Sequence, residues 1–244
     1  MPTGLGSEVG WWCPTLDTAS DGLTNLVGGA SATLKMSGKF GVVSDSGAGG
    51  SEAWEADATP GSGINTGTPP LINNSFSMSC WFKQDTATIG FMNMMAVESP
   101  VTRDYLQVRT NTGAMATDFN GLSMSGTTDL RGTWHHVSLT FDYATNAAEQ
   151  YIDGINVNSG SMVNGWNQNL GEWEIGSQGR SGGTVFDGLL DDARIYNQVL
   201  TAAEITHLAT SRGVQGPPGG AATNYNPFRN AKYINKTYQI PRFG

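Results

Sequence analysis

The stretch Ser75–Lys83 constrains the fold more than any other. Phe76, Met78, Cys80 and Phe82 alternate there with Ser77, Ser79, Trp81 and Lys83. Side chains of an extended chain point to opposite faces in turn, so a period of two predicts a strand with one face in a core. The pattern returns in Trp134–Asp142, where Val137, Leu139 and Phe141 alternate with His136, Ser138 and Thr140. Tyr143–Asn146 reads as a turn, Glu149–Ile152 as the returning strand, and Asp153-Gly154 as a second turn. Those pieces make an antiparallel meander. Val9–Cys13, Ala32–Met36, Gly90–Val97, Asp104–Thr110, Ala114–Phe119, Trp173–Gly176 and Val185–Leu189 are further short strands. Ser37–Pro70, dominated by Gly, Ser, Thr, Pro and acids, reads as a long surface region with at most short strands. About ten to twelve strands with no alternating βαβ rhythm predict an all-β fold, a two-sheet antiparallel sandwich or jelly roll.

One helix is predicted. Thr201 and Glu204 have capping-box spacing, and Leu200 and Ile205 stand where a hydrophobic staple would. The helix spans Thr201–Ser211 and stops at Gly213. Before it, Asp187-Gly188 reads as a tight turn, followed by a strand with Ala193 and Ile195 on one face and Asp192, Arg194 and Tyr196 on the other. Asp192 and Arg194 are two residues apart on that face and predict an ion pair.

Composition then divides the chain. Residues 1–212 form one sandwich domain and 213–220, GVQGPPGG, a Gly/Pro linker. Residues 221–244 read as an extended arm without its own core, with Tyr225, Phe228, Tyr233, Tyr238 and Phe243 among Arg229, Lys232, Lys236 and Arg242. The net charge is −8, with 13 basic and 21 acidic residues. Residues 214–244 carry four of the basic residues and no acid, so the rest of the chain carries 9 − 21 = −12. Such a body is not a general nucleic-acid binder. Two cysteines, Cys13 and Cys80, are too few for a disulfide scaffold; they read either as buried small hydrophobes or as one bond between neighbouring strands. MPTGLGSEVGWW has neither the basic nor the apolar region of a secretion signal, and no apolar run is long enough to span a bilayer. The expectation is a protein made in the cytoplasm.

Three segments, TWHHVSLTFDYATNAAEQYIDG (133–154), EIGSQGRSGGTVFDGLLDDARIYNQVLTAAEI (174–205) and SFSMSCWFKQD (75–85), together resemble the laminin-G-like, concanavalin-A-like jelly-roll family. That family's pattern opens a strand with W-H-H-V, turns through a hairpin to Y-x-D-G, and continues with an I-G strand. F-x-G-x-[IL]-D-D-x-R-I-Y-N and a capping helix complete it. The resemblance spans about residues 8–212, is most specific over 133–205, and leaves 214–244 outside. It implies the jelly-roll fold. It leaves function open, because the fold serves lectins, adhesion modules, glycosidases and capsid parts alike.

Asp17, Asp21, Asn25 and Asp187 are candidate calcium ligands, as oxygen-rich turns suit that ion and some laminin-G-like domains bind it on a sandwich rim. No other cofactor is expected. His135 and His136 are strand neighbours on opposite faces and cannot chelate one ion together. Glu52, Glu55 and Asp57, and Glu172 with Glu174, mimic glycosidase carboxylate pairs, but the E-x-D-x-E run of the related glucanases is absent. Trp12, Trp54, Trp81 and Trp166 are candidate glycan-stacking residues. Tyr225, Phe228, Arg229, Lys232, Tyr233, Lys236, Tyr238, Arg242 and Phe243 are candidate partner contacts. The expectation is a non-enzymatic virion component (head decoration, cement or tail) docked by its arm on copies of itself or on a major capsid or tail protein. The alternative is a lectin-like adhesion module, calcium-assisted, on a surface glycan. Neither nucleic acid nor membrane insertion is expected.

Overall fold

Strand β6 (Phe76–Gln84) runs through the middle of the larger sheet, as its alternation predicts. The computed structural model describes residues 8–17, 22–28, 31–34, 40–44, 52–59, 61–67, 75–86, 93–97, 109–110, 113–119, 122–162, 173–177 and 185–210. Among these are fifteen strands and one α-helix. The linker 213–220 and the arm 221–244 lie outside the described residues.

The larger sheet uses β1 (Glu8–Trp12), β3 (Phe40–Ser44), β4 (Glu52–Asp57), β6, β11 (His135–Asp142), β12 (Ala147–Ile152), β13 (Ile155–Ser161) and β15 (Asp187–Tyr196). Their order is β13-β12-β11-β6-β15-β4-β3, all antiparallel. Strand β15 offers one long edge to β6. Its other edge is shared: residues 187–190 pair with β4 and residues 193–196 with β1. A bulge between Asp191 and Arg194, with Asp192 at φ 51°, falls at that hand-over. A four-stranded sheet has the order β2 (Thr33–Leu34), β5 (Ile64–Gly67), β14 (Trp173–Ile175), β7 (Met95–Val97). A three-stranded sheet joins β8 (Arg109–Thr110), β9 (Met115–Phe119) and β10 (Leu122–Ser125).

The core joins inward side chains of these sheets. Phe76, Met78, Cys80 and Phe82 meet Val137, Leu139, Phe141, Leu190 and Trp54 from the large sheet, and Ile64, Met95, Met115, Trp173 and Ile175 from the smaller ones. Each such side chain contributes roughly 1.5–3 kcal/mol on leaving water. The outer face of the large sheet is covered in part by helix α1 (Ala202–Thr210), which seats Leu200, Ile205 and Leu208 on Tyr151 and Tyr196. The capping box forms: the Glu204 carboxylate accepts the Thr201 amide at 2.7 Å, and Thr201 Oγ1 accepts the Glu204 amide at 3.3 Å. The resulting architecture is the all-β antiparallel jelly-roll sandwich with one short helix.

Several expectations are corrected. Within Ser37–Pro70, β3 and β4 belong to the large sheet and bury Phe40, Ala53, Trp54 and Ala56, so this is not only a surface region. Glu52–Asp57 hides its core side behind small alanines and one Trp. Asp187-Gly188 is the start of β15, not a reversal. Gly188 has φ 130°, and a Cβ there would collide with the Lys83 carbonyl, so the residue answers a close backbone approach. Strand β13 follows the Asp153-Gly154 turn, whose residues have φ 51° and 82°; INVNSGS has little apolar content to announce it. Cys13 and Cys80 are buried and unbonded. Cys80 lies in the main core, while the Cys13 thiol donates to Asp191 Oδ1 at 3.4 Å.

Candidate functional site: the open face of the large sheet

Strand registers bring distant residues into two rows on the outer face, beyond the part that α1 covers. Leu189 pairs with Lys83 on one side and with Glu55 on the other. One step along the same face, Asp187 pairs with Asp57, and its carbonyl accepts the Asp85 amide at 3.1 Å. Alternation places Phe82, Leu190 and Trp54 on the inner face, which leaves Lys83, Leu189 and Glu55 outward. Glu55, Lys83, Gln84, Asp85, Thr86, Gly132, Gly188 and Leu189 line an open depression of ≈ 350 Å³. It offers carboxylates as acceptors, one ammonium as donor and one aliphatic patch.

The candidate tryptophans separate. Trp12 and Trp54 are buried within the main core and present no ring face to a sugar. Trp12 points inward, and Trp11 lies in the outer layer, donating its indole N–H to Asp192 Oδ1 at 2.6 Å beneath the Arg194 guanidinium. Trp81 is half-buried on the outer face, with its indole N–H on the Leu208 carbonyl at 3.3 Å and its ring 5.5 Å from that of His136. Trp166 lies outside the described residues.

Three of the four calcium candidates are among the described residues. Asp17 is buried, and its Oδ2 accepts the Thr24 amide at 3.0 Å. Asn25 Oδ1 accepts the Trp11 amide at 3.1 Å and the Val27 amide at 3.4 Å. Both oxygens shape the loop after β1. Asp21 lies outside the described residues, and Asp187 is on the row with Asp57. Among the described residues no group of three or more His, Cys, Asp or Glu converges as a metal cage.

The two histidines diverge, as strand parity requires. His135 Nδ1 meets Asp153 Oδ2 at 2.7 Å and its Nε2 lies 2.9 Å from Thr133 Oγ1. Asp153 Oδ1 also accepts the His136 amide at 2.9 Å, so this carboxylate ties the β12–β13 turn to the start of β11. His136 is buried, and burial lowers it to about 4 against the neighbouring Asp192 charge. Of the carboxylate pairs, Glu174 is buried and accepts the Ser177 hydroxyl at 2.6 Å, and Glu172 lies outside the described residues. Glu52 and Glu55 are three positions apart on one strand and face opposite ways. The arm residues Tyr225, Phe228, Arg229, Lys232, Tyr233, Lys236, Tyr238, Arg242 and Phe243 lie outside the described residues.

Residues 57–206, more than half of the chain, match the laminin-G-type model of the Concanavalin A-like lectin/glucanases superfamily. The chain belongs to this superfamily. No curated protein matches it by sequence. Among solved structures, domain 4 of the arabinanase AbnA from Geobacillus stearothermophilus, in complex with arabinotriose, is 20% identical at a TM-score of 0.61. The alignment covers 86% of this chain and 100% of that one. The binding domain of Paraclostridial Mosquitocidal Protein 1 is 15% identical at 0.62, over 84% of this chain and 52% of that one. A Trypanosoma rangeli sialidase mutant with trans-sialidase activity is 15% identical at 0.65, over 85% of this chain and 33% of that one. The chain thus spans about half of the toxin domain and a third of the sialidase. At these identities the likeness is one of fold.

This concanavalin A-like sandwich therefore presents an open, mixed-charge depression assembled from β4, β6 and β15. No described helix is long and apolar enough to cross a membrane.

Proposed function

We propose that the chain is a non-catalytic carbohydrate-binding module whose sugar lies in the depression lined by Glu55, Lys83, Asp85 and Leu189. The observation that carries this reading is the arabinanase domain, which has the same fold along its whole length and is described in complex with arabinotriose. The chemistry fits a polyol. Carboxylates accept from pairs of hydroxyls, Lys83 donates, and Leu189 offers an aliphatic patch to the C–H face of a ring. An open depression suits binding better than hydrolysis. A glycosidase needs two carboxyls flanking the bond, one held in a desolvated place as the acid, whereas Glu55 and Asp57 are both exposed.

A glycan array of the intact chain, with and without chelator, tests the reading. Binding to a defined oligosaccharide is expected, reduced about tenfold or more in Lys83→Ala and Glu55→Ala, each an exposed or half-exposed change. No binding in either condition overturns it. Equal affinity in both variants moves the site elsewhere and removes the depression from the account. Binding that survives chelation removes calcium.

A second reading rests on the sequence of residues 221–244, whose four cations, five aromatics and lack of acid complement a body of charge −12. On that reading the chain is a virion component, docked through this arm on copies of itself or on a capsid or tail protein. Deleting 214–244 would abolish incorporation into purified particles. A truncated chain that still incorporates overturns it.

A further inference from the structure

The hairpin of β12 and β13 carries an unusual share of the exposed apolar surface. Four large hydrophobic residues are exposed among the described residues: Tyr143 (43%), Ile155 (67%), Val157 (46%) and Val199 (39%). Ile155 and Val157 are on β13, and Tyr143 is in the turn that leads into β12. Strand β13 is also the last hydrogen-bonded strand of the large sheet: β12 pairs with it on one side, no described strand pairs with it on the other, and β10 packs against its second half, where Asn158 Nδ2 donates to the Ser125 carbonyl at 3.4 Å. An edge strand presents unpaired N–H and C=O groups to any extended chain that reaches it. Proteins blunt such edges with Lys, Pro, inward charges or bulges. Residues INVNSGS hold no charge and no proline; a bulge at Val157, between Asn156 and Asn158, and the approach of β10 to Asn158 and Gly160 leave Ile155 and Val157, in the first half, the exposed part.

The electrostatics of this hairpin are one-sided. Residues 132–179 contain no Lys or Arg, while Asp142, Glu149 and Asp153 border β12 and β13. The chain itself supplies a complement. Residues 221–244 hold four cations, five aromatics and no acid. They are also connected at the right place. Helix α1 ends at Thr210, and its second half lies on the β12–β13 turn: Thr206 Oγ1 is within 3.4 Å of the Gly154 carbonyl, and an added Cβ on Gly154 would meet Thr206 and Ala209 at 3.0 and 3.4 Å. The ten residues 211–220 can reach about 33 Å at full extension, against about 23 Å for the whole of β13.

We infer that the β13 edge is the docking site of the chain's own residues 221–244, which add alongside it as a further strand in the same molecule. The aromatics then cover Ile155 and Val157, and the cations face Asp142, Glu149 and Asp153. Main-chain pairing supplies the affinity and the side-chain pattern the register. The short tether raises the local concentration of the segment to the millimolar range, so a weak contact is enough. This contact is independent of the sugar site, which lies across β4, β6 and β15.

Hydrogen exchange of the full chain by mass spectrometry tests the inference. The expected result is that amides of 155–161 and of a run within 221–244 exchange at least about tenfold slower than free peptide. Ile155→Lys with Val157→Lys replaces exposed side chains only, and should return the run within 221–244 to free exchange. Charge reversal of Arg229, Lys232, Lys236 and Arg242 to Glu should do the same from the other side. In both variants β6 and β15 should keep their protection, which certifies the fold. Free exchange of 221–244 in the unmodified chain overturns the inference, and so does protection indifferent to both sets of changes. A concentration-dependent dimer, lost in the same variants, overturns the intramolecular form in favour of exchange of the segment between copies.

Discussion

Asp192 holds Arg194 from two residues away, Oδ1 to Nε and Oδ2 to Nη2, both at 2.8 Å, and both side chains are closed off from water. The bulge after Asp191 turns the carboxylate toward its partner. Burial is the largest single influence on Arg194 and works against its charge, yet Asp192, Tyr196 and Cys13 together hold the guanidinium above its ordinary value. The Trp11 ring lies 4.0 Å under the guanidinium and its N–H shares Asp192 Oδ1. The ion pair and the Trp11 indole thus tie β1 to β15 at the bulge. Asp192→Ala should therefore cost ~3–5 kcal/mol, because it strands a buried cation. Urea unfolding at neutral pH measures it. Replacing both partners by apolar residues should cost less than the single change, and a double-mutant cycle checks that ordering.

Acid should weaken the fold before its carboxylates titrate. His136 is buried and lowered by that burial to about 4, with Asp192 and Asp153 opposing the shift and Arg194 adding to it. Its folded value lies below the ordinary 6.5, so the unfolded chain takes the proton first. Stability is full above pH 6.5 and falls as pH drops toward 4, by ~3 kcal/mol in all. His136→Gln should flatten that part of the curve, read by urea unfolding between pH 7 and 4. The lowered Asp153 acts only below the ordinary carboxylate range, so its loss comes later in the titration.

Gly188→Ala should be among the most damaging single changes. It combines φ 130° with a collision against the Lys83 carbonyl of the neighbouring β6. A loss of at least ~2 kcal/mol is expected from thermal or urea unfolding. Gly41→Ala provides the contrast, since nothing lies within 4 Å of a Cβ there.

Removing the helix cap should be mild and local. Thr201→Ala takes away the acceptor of the Glu204 amide, at about 1 kcal/mol. Trp81 fluorescence reports it, because that indole donates to Leu208 near the other end of the same helix.

Much of this was legible where one face of a strand is apolar. Phe76–Phe82 and Val137–Phe141 declare their own periods, and Thr201 with Glu204 declares the helix start. The Asp192–Arg194 pair was also readable from spacing. Its burial was not, because Trp11 of β1 lies over it, and no local pattern connects β1 to β15. Trp12 and Trp54 were misplaced for a related reason. Two adjacent tryptophans give no parity, and Trp54 stands among alanines and acids that look like a surface loop. Strand β13 hides because an edge strand with both faces wet has no apolar alternation to show. The depression is a product of register alone: Glu55, Lys83 and Leu189 are neighbours only after three remote strands have paired.

The shared edge of β15 has a consequence for synthesis. Its partners β1, β4 and β6 are made early, and β15 is the last strand of the described fold to leave the ribosome. Until residue 196 emerges, β6 and β4 have no strand between them and β1 has no partner. The sheet cannot be assembled from its beginning, and its central contacts span up to the whole domain, the arrangement that makes folding slow. Nascent chains stalled before β15 should expose unpaired strands to chaperones, and chains stalled just after it should not.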